Sequence, residues 1–301
     1  MKLEHTLEEA ARMVRGKPRQ LRLALATVLA RGHLLIEDVP GVGKTTLSHT
    51  LARVLGLSYR RIQFTSDLVP ADVLGGAVYS PESRTFSIVK GPIFAQVVLA
   101  DELNRASPKA QSALLEAMEE EQVSLEGETH PLPQPFLVMA TQNPMDMAGT
   151  HALPESQLDR FLVSMSMGYP DADIERELLA GQASRLSYAD IRPMLSAEYL
   201  LDLQDQVRRI HLSAPLLDYL QRLILATREH PDIRLGLSPR AALGLTRMAQ
   251  AWALLAGRDY VQPDDVQEVF VSVAQHRLQA RQGNAGTLIA EQTLAETPIG
   301  A

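Results

Sequence analysis

An α/β domain with a mainly parallel sheet, followed by a smaller all-α domain, is the fold class this sequence predicts. Three observations lead there. Through the first half of the chain, short apolar runs of strand length alternate with stretches of helical periodicity, the pattern of strand–helix–strand units. One of those runs, HLLIED, passes through a Pro-Gly turn directly into a helical stretch. After Tyr169-Pro170 no strand-like run follows, only helical patterns.

Each element has a local reason. Leu3, Leu7, Ala10 and Val14 mark one face of a first helix. Pro18 opens a second, with Leu21, Leu25, Val28 and Leu29 on its buried side, and Gly32 ends it. HLLIED, bounded by a glycine and a turn, reads as a buried strand, after which Leu47, Leu51, Val54 and Leu55 return to helical spacing. Further strands are expected at Ile62–Thr65, Val97–Ala100, Phe136–Ala140 and Leu162–Met167. Ser107-Pro108 reads as an N-cap followed by proline in the first helical position. Another helix is expected over Pro154–Arg160.

Two stretches break the alternation. Ala77–Gly91 and Gln122–Leu132 each read as a β-hairpin around a polar turn, with Glu126-Gly127 at the second turn. The core does not need such insertions, which makes them candidates for working parts. The later helical patterns occupy Asp171–Ala183, Ala197–His211, Pro215–Arg228, Pro239–Ala256 and Pro263–Leu278. The expected organisation is an α/β core over 1–168 with hairpins at about 77–91 and 122–132, a helical domain over 169–280, and a less regular tail over 281–301.

Composition narrows the function. The chain has 301 residues, 46% hydrophobic and 22% charged, with a formal net charge of −7. That is ordinary globular composition, and the acidic balance disfavours bulk capture of nucleic acid or anionic lipid. There is no cysteine, which removes disulfides, thiol nucleophiles and zinc–thiolate sites together. No run is long and apolar enough for a membrane span. The N-terminal MKLEHTLEEAARMVRG carries Glu4, Glu8 and Glu9 and no apolar run, so a secretory signal is not expected. The expectation is a cytoplasmic protein. The 8 histidines are scattered without ligand-like spacing. Arg60-Arg61 and Arg208-Arg209 read as solvated faces.

The strongest local signal is EDVPGVGKTT, between a strand and a helix. A phosphate-binding loop needs small residues so that backbone N–H groups can turn inward, a lysine for the β- and γ-phosphates, and a hydroxyl for Mg²⁺. Pro40, Gly41, Val42, Gly43, Lys44, Thr45 and Thr46 fit that loop. The strict pattern would place glycine where this chain has Asp38, and Pro40-Gly41 supplies the turn instead. Next, VVLADELNRA ends an apolar strand in Asp101-Glu102, two carboxylates where α/β sheets bind ligands. Asp101, with Thr45, would hold Mg²⁺, and Glu102 would polarise the attacking water.

MATQNP places Asn143 just beyond another strand, where a neutral amide can meet a γ-phosphate or orient water; a turn cap explains it as well. LPESQLDRF places Arg160 at the end of a short helix, as a finger offered to a neighbouring molecule or as a surface partner of Asp159 or Glu155. Arg240 lies in the first turn of a helix, where the dipole repels a cation and a bound phosphate would resolve the conflict.

With these features in this order, the chain resembles the AAA+ ATPases, and closely the MoxR family. The matching stretches are GHLLIEDVPGVGKTT, RIQFTSDLVPADVLGG, VVLADELNRASPKAQSALLEAMEE, FLVMATQNP, LPESQLDRF and LSPRA, spread over nearly the whole chain. The family's loop commonly carries a non-glycine at the position of Asp38. The resemblance implies an AAA+ P-loop core with a helical lid, Lys44 and Thr45 as Walker A, Asp101 and Glu102 as Walker B, and Asn143 as sensor 1. It further implies Arg160 as the arginine finger and Arg240 as sensor 2, with ATP or ADP and Mg²⁺ as cofactors. The hairpins match the helix-2 and pre-sensor-1 inserts of that clade. Members are generally hexameric homo-oligomers that remodel protein substrates, often with a von Willebrand factor A domain partner, inserting a metal or cofactor or assembling a complex.

Rival readings are a nucleotide-gated scaffold with little hydrolysis and a DNA-acting AAA+ machine. The intact Asp101-Glu102 pair speaks against the first. The −7 charge and the lack of an aromatic and basic strand platform speak against the second. A polymerase-remodelling activator would carry GAFTGA in the first hairpin; this chain has GGAVYSPESRTFSIVKG.

Overall fold

The computed structural model describes residues 2–82, 84–143, 149–180, 186–281 and 286–300. Pro144, Met145 and Met147, and residues 181–183 of the helix expected to end at Ala183, lie outside them. The chain opens with α1 (Lys2–Ala11) and α2 (Pro18–Leu29). Strand β1 (Leu34–Glu37), helix α3 (Lys44–Val54), strand β2 (Tyr59–Gln63) and the short helix α4 (Pro70–Leu74) follow. Next come the strands β3 (Gly75–Ser80), β4 (Thr85–Lys90) and β5 (Val97–Asp101), helix α5 (Pro108–Glu120), and strands β6 (Gln122–Leu125), β7 (Glu128–Pro131) and β8 (Leu137–Gln142). Helix α6 (Glu155–Leu158), strand β9 (Val163–Met165) and helices α7 (Ala172–Leu179), α8 (Ala197–Val207) and α9 (Ala214–Glu229) lead into β10 (Ile233–Leu235). The chain closes with α10 (Pro239–Leu255), α11 (Pro263–Ala274), β11 (Gln279–Ala280) and α12 (Gly286–Glu296).

The fold class is α/β. Five strands form one sheet in the order β2-β5-β8-β1-β9, and the β2–β5 and β5–β8 pairs are parallel. β5 is buried at every position, and β8 at all but its last, as expected of central parallel strands covered on both faces. β2 lies at the edge, and only one of its residues is buried. Ile62 is buried, while Arg61 and Gln63 share the other face at a spacing of two.

Both inserted hairpins form separate two-stranded sheets. In the first, Tyr79 pairs with Phe86 in register, their rings 5.3 Å apart. Its base is tight: a Cβ on Gly75 (φ +93) would come within 2.2 Å of the Val89 carbonyl oxygen, so only glycine fits. In the second, Glu126 (φ 50) and Gly127 (φ 84) both take positive φ, the requirement of a tight two-residue hairpin turn.

Contacts divide the chain into two compact units, 1–21 with 35–153 and 166–197, and 22–34 with 154–165 and 198–301. A single cut at residue 169 would divide it differently. In the first unit, 166–197 is held to the α/β core: Met194 N–H donates to the Val54 carbonyl at 2.7 Å, and Ile174 presses on Gly16. In the second unit, Gln204 donates to the Val28 carbonyl at 2.7 Å, and Leu162 N–H to the His33 carbonyl at 2.8 Å. The core of the helical part comes from Leu245, Met248, Trp252, Val266, Phe270 and Val273, all buried.

Two expectations for the second half are corrected. Strands do occur after residue 169: β10 and β11 pair antiparallel, and at three and two residues they are too short to leave a periodic signal. The tail is not irregular throughout, because α12 spans Gly286–Glu296. Its buried face is Gly286, Ile289, Ala290 and Thr293, a helical spacing whose glycine and threonine hide it from an apolar count.

Candidate functional site

The loop between β1 and α3 owes its shape to two glycines. Gly41 (φ 87) and Gly43 (φ 95) are left-handed, a conformation that costs an L side chain about 1–2 kcal/mol. A Cβ on either would meet nothing within 4 Å, so conformation and not crowding demands glycine there. Gly43 caps α3 with no side-chain hydrogen bond, which leaves the helix's first N–H groups and its dipole to face an anion. The Lys44 ammonium donates to the carbonyls of Asp38 at 2.8 Å and Val39 at 3.3 Å. Burial pulls its pKa below the usual lysine value, and the charges of Asp101, Asp38 and Glu102 oppose that pull.

Asp38, where the strict pattern has glycine, is a buried clip. Its carboxylate accepts from Val39 N–H at 2.8 Å, the Ser166 hydroxyl at 2.7 Å and Gly168 N–H at 2.7 Å. Burial alone would raise its pKa; the donors from Ser166, Gly168, Val39 and Met167 hold it below the usual aspartate value. The departure thus has a structural purpose: it fastens the start of the loop to the segment that follows β9.

Asp101 ends β5 and Glu102 follows in a left-handed conformation (φ 56), strain of the sort that collects at working sites. The Thr141 hydroxyl, near the end of β8, joins them. It donates to Asp101 Oδ1 at 2.6 Å and accepts from Glu102 N–H at 2.9 Å. From β2, Gln63 donates to Glu102 Oε2 at 2.9 Å. Arg61 donates to Asp101 Oδ2 through Nη2 at 2.6 Å and Nε at 3.1 Å. Reading Arg61 as a solvated face is therefore corrected: on an edge strand it looks like surface, but alternation aims it at the acidic pair. Arg208 and Arg209 are exposed.

These groups line one cavity of about 520 Å³, within the range of small-molecule sites. Pro40, Gly41, Gly43, Lys44, Thr45 and Thr46 form one wall, and Asp101, Glu102 and Asn143 another. Arg61, Gln63, Arg105 and Thr141 complete it and were missed in sequence. Thr141 and Gln63 could have been found, since each sits inside a motif already singled out. Arg105 also lies inside a singled-out stretch, VVLADELNRA, but an arginine after a strand end reads as surface as readily as site. A second, more apolar cavity of about 300 Å³ adjoins the first: it shares Gly41, Gly43 and Thr46, adds Val42, and is lined further by Val14, Met167 and Ile174.

Arg160 and Arg240 belong to the second unit and do not line either cavity. The carboxylates considered as surface partners of Arg160 are engaged by other arginines: Asp159 with Arg277 at 2.7 Å and Glu155 with Arg234 at 3.0 Å. Asp159 also accepts from the Ser238 hydroxyl at 3.0 Å, and Ser238 caps α10, in whose first turn Arg240 is exposed.

The chemistry available in the cavity is that of oxygen donors and fixed cations. Among the described residues no cluster of three or more His, Cys, Asp or Glu could cage a metal by itself. One carboxylate and one hydroxyl beside a loop of this shape would suit Mg²⁺, which takes few protein ligands and completes its shell with phosphates and water.

Comparison with known proteins agrees with this geometry. Residues 33–163 match the model of the ATPase family associated with various cellular activities, and residues 225–296 match the AAA lid domain. The protein is 43% identical to Chaperone MoxR1 of Mycobacterium tuberculosis over 285 residues, covering 92% of this chain and 75% of that one. It is 32% identical to Protein MoxR of Methylorubrum extorquens over 294 residues, 90% of this chain and 85% of that one.

The chain belongs to the MoxR family of AAA+ ATPases. Protein YeaC of Bacillus subtilis is also similar, at 45% identity over 92% of this chain and 86% of that one. The crystal structure of an ATPase candidate from Cytophaga hutchinsonii aligns with a TM-score of 0.89 at 35% identity, covering 99% of this chain and 94% of that one. The parallel sheet and helical lid region of this MoxR protein are therefore those of a known architecture. No helix among its described residues is long and apolar enough to cross a membrane.

Proposed function

We propose that this MoxR-family protein binds ATP with Mg²⁺ in the polar cavity, hydrolyses it, and uses the cycle to remodel a partner protein. The observation that carries the reading is the convergence of Lys44, Thr45, Asp101, Glu102 and Asn143 on one cavity. The loop Pro40–Thr46 and the α3 N-terminus would cradle the phosphates, with the Lys44 charge directed at the β- and γ-groups. The adjoining apolar cavity suits the base. Thr45 and Asp101 would hold Mg²⁺, which supplies charge neutralisation at the phosphates when bound. Glu102 orients and deprotonates the attacking water, and Asn143 contacts the γ-phosphate without adding charge.

Arg160 acts as a finger across a subunit boundary in a homo-oligomeric ring, hexameric as in related machines, and Arg240 responds to the nucleotide from the lid. The protein substrate meets the exposed hairpin of β3 and β4, where Phe86 is 73% exposed beside Tyr79. A relative named as a chaperone supports remodelling as the output, with a von Willebrand factor A domain protein as co-worker and metal or cofactor insertion or complex assembly as the task.

The test is Glu102→Gln. ATP binding in the presence of Mg²⁺ should persist while hydrolysis falls by about 10²–10⁴, the usual worth of a positioned base. Hydrolysis at the wild-type rate would remove Glu102 from that role. Near-zero wild-type turnover at every protein concentration would favour a nucleotide-gated scaffold.

A further inference from the structure

We propose that Arg61 is a built-in counter-cation for Asp101 that competes with Mg²⁺ for the same carboxylate, so that edge strand β2 sets how readily the site loads its metal. This rests on the nucleotide-site reading above and goes beyond it. Arg61 does not spread its fork over both carboxylate oxygens. Nη2 at 2.6 Å and Nε at 3.1 Å both donate to Oδ2, while Oδ1 accepts from Thr141 at 2.6 Å. Both oxygens are therefore engaged by protein donors, and the acceptor capacity of Oδ2 is filled by one guanidinium. A divalent cation approaching Oδ2, directly or through water, meets a like charge a few ångströms away. Either the guanidinium leaves, or the cation binds weakly.

Arg61 is placed to leave. Its side chain is 47% exposed against 11% for Asp101, and it projects from an edge strand into the cavity. Solvent can take up its charge at modest cost, and an exposed pair of this kind is worth little. The same Nη2 donates to Gln63 Oε1 at 2.6 Å, and Gln63 donates to Glu102 at 2.9 Å. A single guanidinium thus bridges Asp101 to the amide that holds Glu102, and its departure loosens both carboxylates together. Lys44 and Arg105 also face the cavity; Lys44 donates to the carbonyls of Asp38 and Val39, and Arg105 pairs with Glu102 at 3.4 Å.

The experiment is equilibrium binding of a fluorescent ADP analogue titrated with Mg²⁺, in wild type, Arg61→Gln and Arg61→Lys, each checked for folding by circular dichroism. The readout is the Mg²⁺ concentration that gives half of the metal-dependent gain in affinity. Arg61→Gln should lower it by roughly fivefold, the upper range for a partly exposed pair. Arg61→Lys, which keeps the charge and loses the fork, should fall between. The difference between wild type and Arg61→Gln should shrink at high salt, because the competition is electrostatic.

An unchanged or raised half-point in Arg61→Gln would overturn the proposal. So would an equal loss of ADP affinity with and without Mg²⁺, which would make Arg61 an ordinary phosphate contact. Failure of the wild type to bind the analogue under either condition would remove the nucleotide reading itself, an outcome distinct from both.

Discussion

The Lys44 ammonium turns back on the carbonyls of Asp38 and Val39, so its charge is held at the loop and not spent on a carboxylate. Removing it in Lys44→Ala should weaken ATP binding by about 1.5–3 kcal/mol, the worth of hydrogen bonds to charged groups, measured by isothermal titration. Unchanged affinity would refute its direction toward phosphate. Asp38 makes a different prediction. Its folded pKa lies below the ordinary value, so its stabilisation is fully present above the unfolded carboxylate pKa and is lost as pH falls through the folded one. Asp38→Asn should cost about 1–3 kcal/mol at neutral pH and flatten the acid limb of the stability curve, read from urea melts across pH. At this scale much of the site was legible: Gly41, Gly43, Lys44, Asp101 and Glu102 are residue types with narrow chemical uses. Arg61 was not, because a pair of arginines on a short polar strand looks the same whether it meets solvent or a carboxylate.

Elements fix how well those residues are aimed. Ser107 caps α5 by accepting from Ala110 N–H, and its hydroxyl donates to the Leu68 carbonyl. Ser107→Ala should cost about 1 kcal/mol, visible as a lower thermal midpoint with binding affinity retained. The β3–β4 hairpin predicts the opposite split. Tyr79 and Phe86 are exposed, so Tyr79→Ser with Phe86→Ser should change stability by only about 0.5 kcal/mol each. Stimulation of turnover by a protein substrate should nevertheless fall; full retention would assign the hairpin to decoration. The strands at β5 and β8 were legible because parallel strands buried on both faces are apolar runs. Helix α4 and strands β10 and β11 were not, being shorter than the window over which a period can be counted.

At the scale of the molecule, the two candidate arginines stand on a common support. Asp159, next to Arg160, accepts from buried Arg277 and from Ser238 at the start of the helix carrying Arg240. Arg160→Ala should bind ATP yet turn over more slowly by about 10³–10⁵ if it works in trans, as fingers do in known GTPases. Mixed with Glu102→Gln it should recover activity, since a neighbour's arginine then meets an intact site. No recovery in rings of confirmed mixed composition would give Arg160 a role within its own subunit. Fold class and the left-handed shape of the β1–α3 loop were legible from residue type alone, because burial periodicity and glycine's left-handed φ are local requirements. Tertiary packing alone brings Arg61 and Gln63 of β2 onto the acidic pair and clips Asp38 to Ser166 and Gly168. Those contacts depend on which distant segments pack together, and contact between residues far apart in the chain leaves no periodic trace.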